Sequence, residues 1–126
     1  MARLITYVSD EVIYKQRHLP LAEHHLQSIW LEIGFGRAKK HLVNFYYREH
    51  TSCVTGSRDS QLTHLKQLIR GWRDALGEGR DLVAMGDANL DVNLWQDPQY
   101  WNYYLAREVH EFLLSESCVQ LVDKYT

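Results

Sequence analysis

The sequence predicts one α/β domain, and three observations carry that reading. Runs of β-branched and aromatic residues alternate with polar ones up to Tyr47, apolar spacing switches to three- and four-residue steps after Ser57, and a short apolar run separates two such helical stretches. The expected order is ββββαβαβ, in a layered architecture whose strands are mostly antiparallel. With 126 residues the chain has room for a single domain. Its 45% hydrophobic and 24% charged residues suit a chain able to bury a core, which excludes disordered and low-complexity classes.

Arg3 to Val8 and Glu11 to Gln16 are short strand-like runs split by Ser9-Asp10, and they predict a β-hairpin. After Pro20, the stretch Gln27 to Ile33 alternates Ile29, Leu31 and Ile33 against Trp30 and Glu32, then stops at Gly34-Phe35-Gly36, giving a third strand. The basic turn Arg37-Ala38-Lys39-Lys40 leads to a fourth, His41 to Tyr47. Short connections imply antiparallel pairing among these four. From Ser57 onward, Leu62, Leu65, Leu68, Ile69, Trp72 and Leu76 mark one face of an amphipathic helix, with Ser57 or Asp59 as its cap and Gly77 as the left-handed residue at its end. Asp81 to Gly86 is nearly continuous in apolar side chains and predicts a strand covered on both faces. A second helix is expected to open at Asp97-Pro98, to carry Trp101, Tyr104, Leu105, Val109, Phe112 and Leu113 inward, and to end near Ser117. Cys118 to Val122 closes the order as a last strand.

Charge and cysteine usage narrow the function classes. Lys plus Arg total 14 against 16 Asp plus Glu, a net charge of −2, so no global positive field draws the chain onto nucleic acid and any polyanion must be held at a local site. Cys53 and Cys118 are too few for a disulfide scaffold, and their spacing to His does not match a structural zinc site. The N-terminus shows no signal-peptide h-region, and no apolar stretch reaches the ~18 residues of a membrane span. The expectation is an intracellular protein, nuclear or cytoplasmic, with no membrane partner.

The sharpest chemical feature is Met85-Gly86-Asp87-Ala88-Asn89-Leu90-Asp91, which sets a carboxylate and a carboxamide just past the end of an apolar strand. Ligands of open α/β sheets gather at that end, and a bend at Gly86 turns Asp87 and Asn89 toward one point. An aspartate accepts a proton or helps hold a divalent cation, while an asparagine amide donates to a phosphoryl oxygen without adding negative charge. Asp, Asn and Gly are also ordinary turn formers, and spacing alone leaves both readings open. An EF-hand loop is excluded, because its sixth position holds Val92 in place of Gly and its twelfth holds Pro98 in place of Glu. At the end of the fourth strand, Tyr46-Tyr47-Arg48-Glu49 offers a phenol and a guanidinium, both donors to phosphate, although aromatic strand residues also serve as core. His24, His25, His41 and His50 lack ligand spacing and read as surface or satisfied histidines, and Arg37, Lys39 and Lys40 form a solvated loop too small to dominate binding.

In order along the chain, Val43-Asn44-Phe45-Tyr46 on a strand, a helix, and Leu82-Val83-Ala84-Met85-Gly86-Asp87-Ala88-Asn89 resemble the endonuclease/exonuclease/phosphatase family. Ile29-Trp30-Leu31-Glu32-Ile33, Tyr46-Tyr47-Arg48-Glu49 and the closing Gln120-Leu121-Val122-Asp123-Lys124-Tyr125-Thr126 are similar to the endonuclease domain of non-long-terminal-repeat retrotransposons. The resemblance implies a two-sheet α/β sandwich that cleaves phosphodiesters with a divalent cation, usually Mg2+, and whose partner is DNA. It also implies roles: Asp87 handles the proton of the attacking water or leaving group, Asn89 positions the phosphate, Tyr46 contacts the scissile phosphate, and Asp87 with Asn89 approaches the metal.

Departures from the family pattern are as informative. Its early metal-binding glutamate would precede Arg3 and its late Ser-Asp-His segment would follow Thr126; neither motif occurs in these residues, His110 follows Val109 within a helix, and Arg48 stands where many relatives carry proline. Residues 1–126 are therefore expected to form a single incomplete domain of this type, a partial sandwich with about half of the catalytic groups, inactive alone and exposing strand edges through which it self-associates. Two other readings remain open, a repurposed nucleic-acid- or phosphate-binding module without turnover, and a small-molecule phosphoesterase on the same fold.

Overall fold

The computed structural model of the chain describes residues 4–17, 26–34, 41–49 and 58–120. The turn Arg37 to Lys40, His24, His25, His50, Cys53, Ser57, Leu121 and Val122, on which sequence expectations also fall, lie outside these residues. The described elements run β1 (Ile13–Arg17), β2 (Leu26–Gly34), β3 (His41–Arg48), α1 (Arg58–Gly77), β4 (Leu82–Asp87), a 3₁₀ turn (Val92–Leu94) and α2 (Tyr103–Ser115). The chain is thus mixed α/β, with a four-stranded sheet in the order β1-β2-β3-β4. β1–β2 and β2–β3 pair antiparallel, whereas β3–β4 is parallel, because α1 carries the chain back across the sheet between them.

Register decides which side chains meet the helices. Trp30 lies opposite Asn44, and Ala84 lies beside Asn44 on the other side. With period two, β3 therefore presents Leu42, Asn44, Tyr46 and Arg48 to the helix layer and Val43, Phe45 and Tyr47 to the opposite face. α1 answers with buried Gln61, His64, Leu65, Leu68, Ile69, Trp72 and Ala75, a three- and four-residue spacing that keeps one stripe on the sheet. α2 adds Leu105, Ala106, Val109 and Phe112, and the Trp72 and Phe112 rings sit 5.3 Å apart where the helices meet. The core is this layer between sheet and helices: Trp30, Leu42, Leu65, Leu68, Ile69, Trp72, Leu105, Val109 and Phe112 with their neighbours.

One buried amide organises its centre. Asn44 Nδ2 donates to Ser28 Oγ at 2.7 Å and to the Ile29 carbonyl at 3.2 Å, while its Oδ1 accepts from Trp72 Nε1 at 2.8 Å. A fully buried carboxamide is tolerated because both ends are bonded. The end of the sheet remote from the Asp87 turn is closed by charge: Arg17 bridges Glu78 at 2.8 Å and Glu32 at 3.6 Å, and Arg80 bridges Glu32 at 2.7 Å.

Several sequence expectations are corrected. Leu4 to Val8 is not a strand, so the hairpin with residues 11–16 does not form; a turn closed by Val12 N–H to the Ser9 carbonyl precedes β1, which pairs with β2 instead. The left-handed residue after α1 is Gly79, at φ +70°, two positions beyond Gly77, which is still helical. Residues 97–102 are not helical and α2 starts only at Tyr103, which leaves Trp101 outside the helix and 78% exposed instead of inward. Residues 118–120 are not a strand. The parallel strand β4 is not covered on both faces, because it takes the edge of the sheet: Val83 and Met85 are 42% and 46% exposed.

Candidate functional site

At the carboxyl end of β3 and β4 the parallel register brings Tyr46 beside Gly86 and Tyr47 beside Asp87. A Cβ at Gly86 would stand 2.0 Å from the Tyr46 carbonyl oxygen and 2.8 Å from its Cγ. Only glycine allows β4 to run this close to β3 at Tyr46, and Asp87, the next residue of β4, pairs with Tyr47.

Beyond Gly86 the chain folds into an Asx turn. Asp87 is exposed, and its Oδ1 accepts the Asn89 backbone N–H at 2.8 Å. Asn89 takes φ +50°, a left-handed conformation that asparagine accepts more readily than most residues, and its Nδ2 donates to the Arg48 carbonyl at 2.5 Å. The next carboxylate, Asp91, repeats the device by capping the 3₁₀ turn through Asn93 N–H at 2.9 Å, and its own N–H donates to the Tyr100 hydroxyl.

Tyr46 is half-buried with its ring 5.5 Å from that of Trp72 in an edge-on arrangement. Burial, and secondarily the Asp87 carboxylate, push the phenol above its ordinary pKa, so it stays protonated and can donate a hydrogen bond. Tyr46 and Asp87 lie at one end of the sheet, Tyr46 paired with Gly86 and Asp87 with Tyr47. Asn89 occupies the same turn, but its side-chain nitrogen is engaged by the Arg48 carbonyl.

Arg48 departs furthest from its expected role. Its side chain does not project as a phosphate donor: the residue is 1% exposed, with Nε donating to the Ala88 carbonyl at 2.7 Å, Nη2 to the Asn89 carbonyl at 3.1 Å and Nη1 to Gln61 Oε1 at 3.3 Å. Burial lowers its pKa, an effect opposed by Tyr104, Tyr100 and Asp87. Position 48 is even-numbered like Leu42, Asn44 and Tyr46, so strand alternation places it on the same side of β3 as these residues, while the tertiary contacts decide that this side is the covered one and what bonds the guanidinium.

The donor set for a cation is small. Among the described residues no three His, Cys, Asp or Glu side chains gather. Asp87 has one oxygen in the Asx turn and the other available, and Mg2+ is commonly held by one or two carboxylates together with substrate phosphates. The residues therefore suit a cation that arrives with a phosphate and do not form a cage for a resident one. His41 lies at the opposite end of β3, where its Nδ1 approaches Asp81 at 3.3 Å.

Comparison with family models, curated proteins and solved structures returned no match. No helix among the described residues is long and apolar enough to cross a membrane.

Proposed function

We propose that this chain carries the Asp87/Asn89/Tyr46 portion of a divalent-metal-dependent phosphodiesterase site of the endonuclease/exonuclease/phosphatase type, resembling the DNA-nicking domain of retrotransposon endonucleases, in a partial α/β sandwich. The observation that supports this reading best is the pairing of Gly86 with Tyr46 and of Asp87 with Tyr47, which brings the three proposed residues to one carboxyl-terminal end of the sheet. There an exposed carboxylate can accept a proton from water while a protonated phenol donates to a phosphoryl oxygen. Mg2+ would neutralise phosphate charge, with Asp87 and Asn89 as the residues nearest to hold it. Within the described residues no three His, Cys, Asp or Glu side chains gather to hold a metal, so turnover by these residues alone is expected to be negligible.

The test combines two measurements. Supercoiled plasmid incubated with the purified chain and Mg2+ should stay un-nicked, while Mn2+ should broaden NMR signals around Asp87 in the wild type and not in Asp87→Asn. Robust nicking abolished by Asp87→Ala would show a complete site; broadening centred elsewhere would remove the phosphodiesterase reading.

One observation favours a second reading, a phosphate- or nucleic-acid-binding module without turnover. Asp87 and Asn89 are already bonded within the turn, to Asn89 N–H and the Arg48 carbonyl. Metal-free binding of a labelled DNA duplex that survives Asp87→Asn would select it. In either case the position of β4 at the edge of the sheet among the described residues, with Val83 and Met85 exposed, supports self-association of the chain.

A further inference from the structure

The Asp87–Asn89 turn is held from beneath by a side chain that no ligand can touch. Arg48 is one of the largest fully buried side chains of the molecule. Three of its nitrogens are spent on three partners: the Ala88 carbonyl, the Asn89 carbonyl and Gln61 Oε1 on α1. In return the Arg48 carbonyl accepts the Asn89 amide. Strand β3, helix α1 and the turn after β4 are thereby tied at a single residue, with hydrogen bonds running both ways between positions 48 and 89.

We infer that Arg48 is a positioning residue: by holding the Ala88 and Asn89 carbonyls it sets the direction in which Asp87 is presented, without itself reaching the ligand. The inference rests on the proposed site for its consequence, but the clamp is a property of the fold. A planar guanidinium matches this task because its donors leave in fixed, divergent directions, toward two successive carbonyls and a side-chain oxygen on another element. A lysine ammonium carries its three donors on one atom at the end of a flexible stem and does not reproduce this spread-out fork, which leaves buried acceptors poorly paired. The left-handed backbone of Asn89, which asparagine adopts more readily than most residues, still carries a free-energy cost that the clamp offsets.

The experiment compares wild type, Arg48→Lys, Arg48→Met and Leu68→Ala, a core variant that lowers stability without touching the turn. Backbone 15N order parameters at residues 88–90 should be those of rigid backbone, about 0.85, in wild type and Leu68→Ala, and should fall below about 0.6 in both Arg48 variants while α1 and β2 stay rigid. Should neither Arg48 variant fold, the wild-type Arg48 Nε–H signal decides: it should exchange at least about tenfold more slowly than that of exposed Arg107, as a buried charge-assisted bond requires. Apparent Mn2+ affinity at Asp87 should drop about ten- to a hundredfold in Arg48→Lys, the usual effect of losing a residue that orients a ligating group. A rigid 88–90 turn with unchanged Mn2+ affinity in Arg48→Lys, or fast Nε–H exchange in the wild type, overturns the inference. Absence of Mn2+ broadening at Asp87 in the wild type would instead remove the functional reading and leave the clamp to be judged on the order parameters.

Discussion

A Cβ placed on Gly86 would lie 2.0 Å from backbone, the Tyr46 carbonyl oxygen, which no rotamer change can relieve. Gly86→Ala must push β4 away from β3, and the expected loss is about 1–3 kcal/mol of unfolding free energy, read by urea denaturation. Near-wild-type stability would mean that the two strands run further apart than described. The same residue-scale logic separates what was legible at the site from what was not. Asp87 and Asn89 were visible as chemistry-bearing residues in a turn, and the structure adds the Asx bond that makes the turn. Arg48 was read as a surface donor because it sits at a strand end beside tyrosines; its burial depends on Gln61, Ala88 and Asn89, which are 13, 40 and 41 positions away in sequence. Separations of that kind carry no local pattern.

Among elements, α2 keeps its type but starts at Tyr103 and not at Asp97-Pro98, whereas α1 and the central strands β2 and β3 follow their periodicity closely. Each buries a stripe or a face large enough for the apolar pattern to set both type and extent. The edges did not follow it. Leu4 to Val8 has strand-forming residues but no partner strand among the described residues, and β propensity without a neighbour does not make a strand. Where α1 hands over to β4, Glu78 and Arg80 clip the connection to Arg17 and Glu32. The hydrogen bond from Arg17 holds the Glu78 carboxyl below its usual 4.5. A depressed carboxylate stabilises the fold above its unfolded pKa and ceases to do so as pH falls through the folded value. Wild type should therefore exceed Glu78→Gln in stability by a constant margin from pH 6 to 8, and the margin should vanish as the pH drops below that usual 4.5, followed by denaturant titration at each pH. A margin that survives acidification would show that Glu78 acts through something other than its charge.

On the scale of the whole molecule, the sheet is asymmetric. Its helix-facing side is closed by Trp30, Leu42, Trp72 and their neighbours, whereas Val83 and Met85 on the other side of β4 remain accessible at an edge with unpaired backbone among the described residues. Exposed apolar edge strands template association. Sedimentation velocity should show an average mass rising with concentration, and Met85→Lys should suppress the rise while changing stability by no more than about 0.5 kcal/mol, as expected of an exposed position. A concentration-independent monomer would set the edge aside as a route to assembly.

The amino-acid sequence by itself determined the α/β class, the helix α1 with its buried stripe, the strands β2 and β3, and the placing of Asp87 and Asn89 in a turn after an apolar strand. Each of these follows from spacing within about twenty residues, over which period and turn chemistry act. Only the tertiary structure decided that β4 lies at an edge, that Tyr46 stands beside Gly86, and that Arg48 turns inward to hold the loop, because strand order, register and burial are set by contacts between residues far apart in the chain.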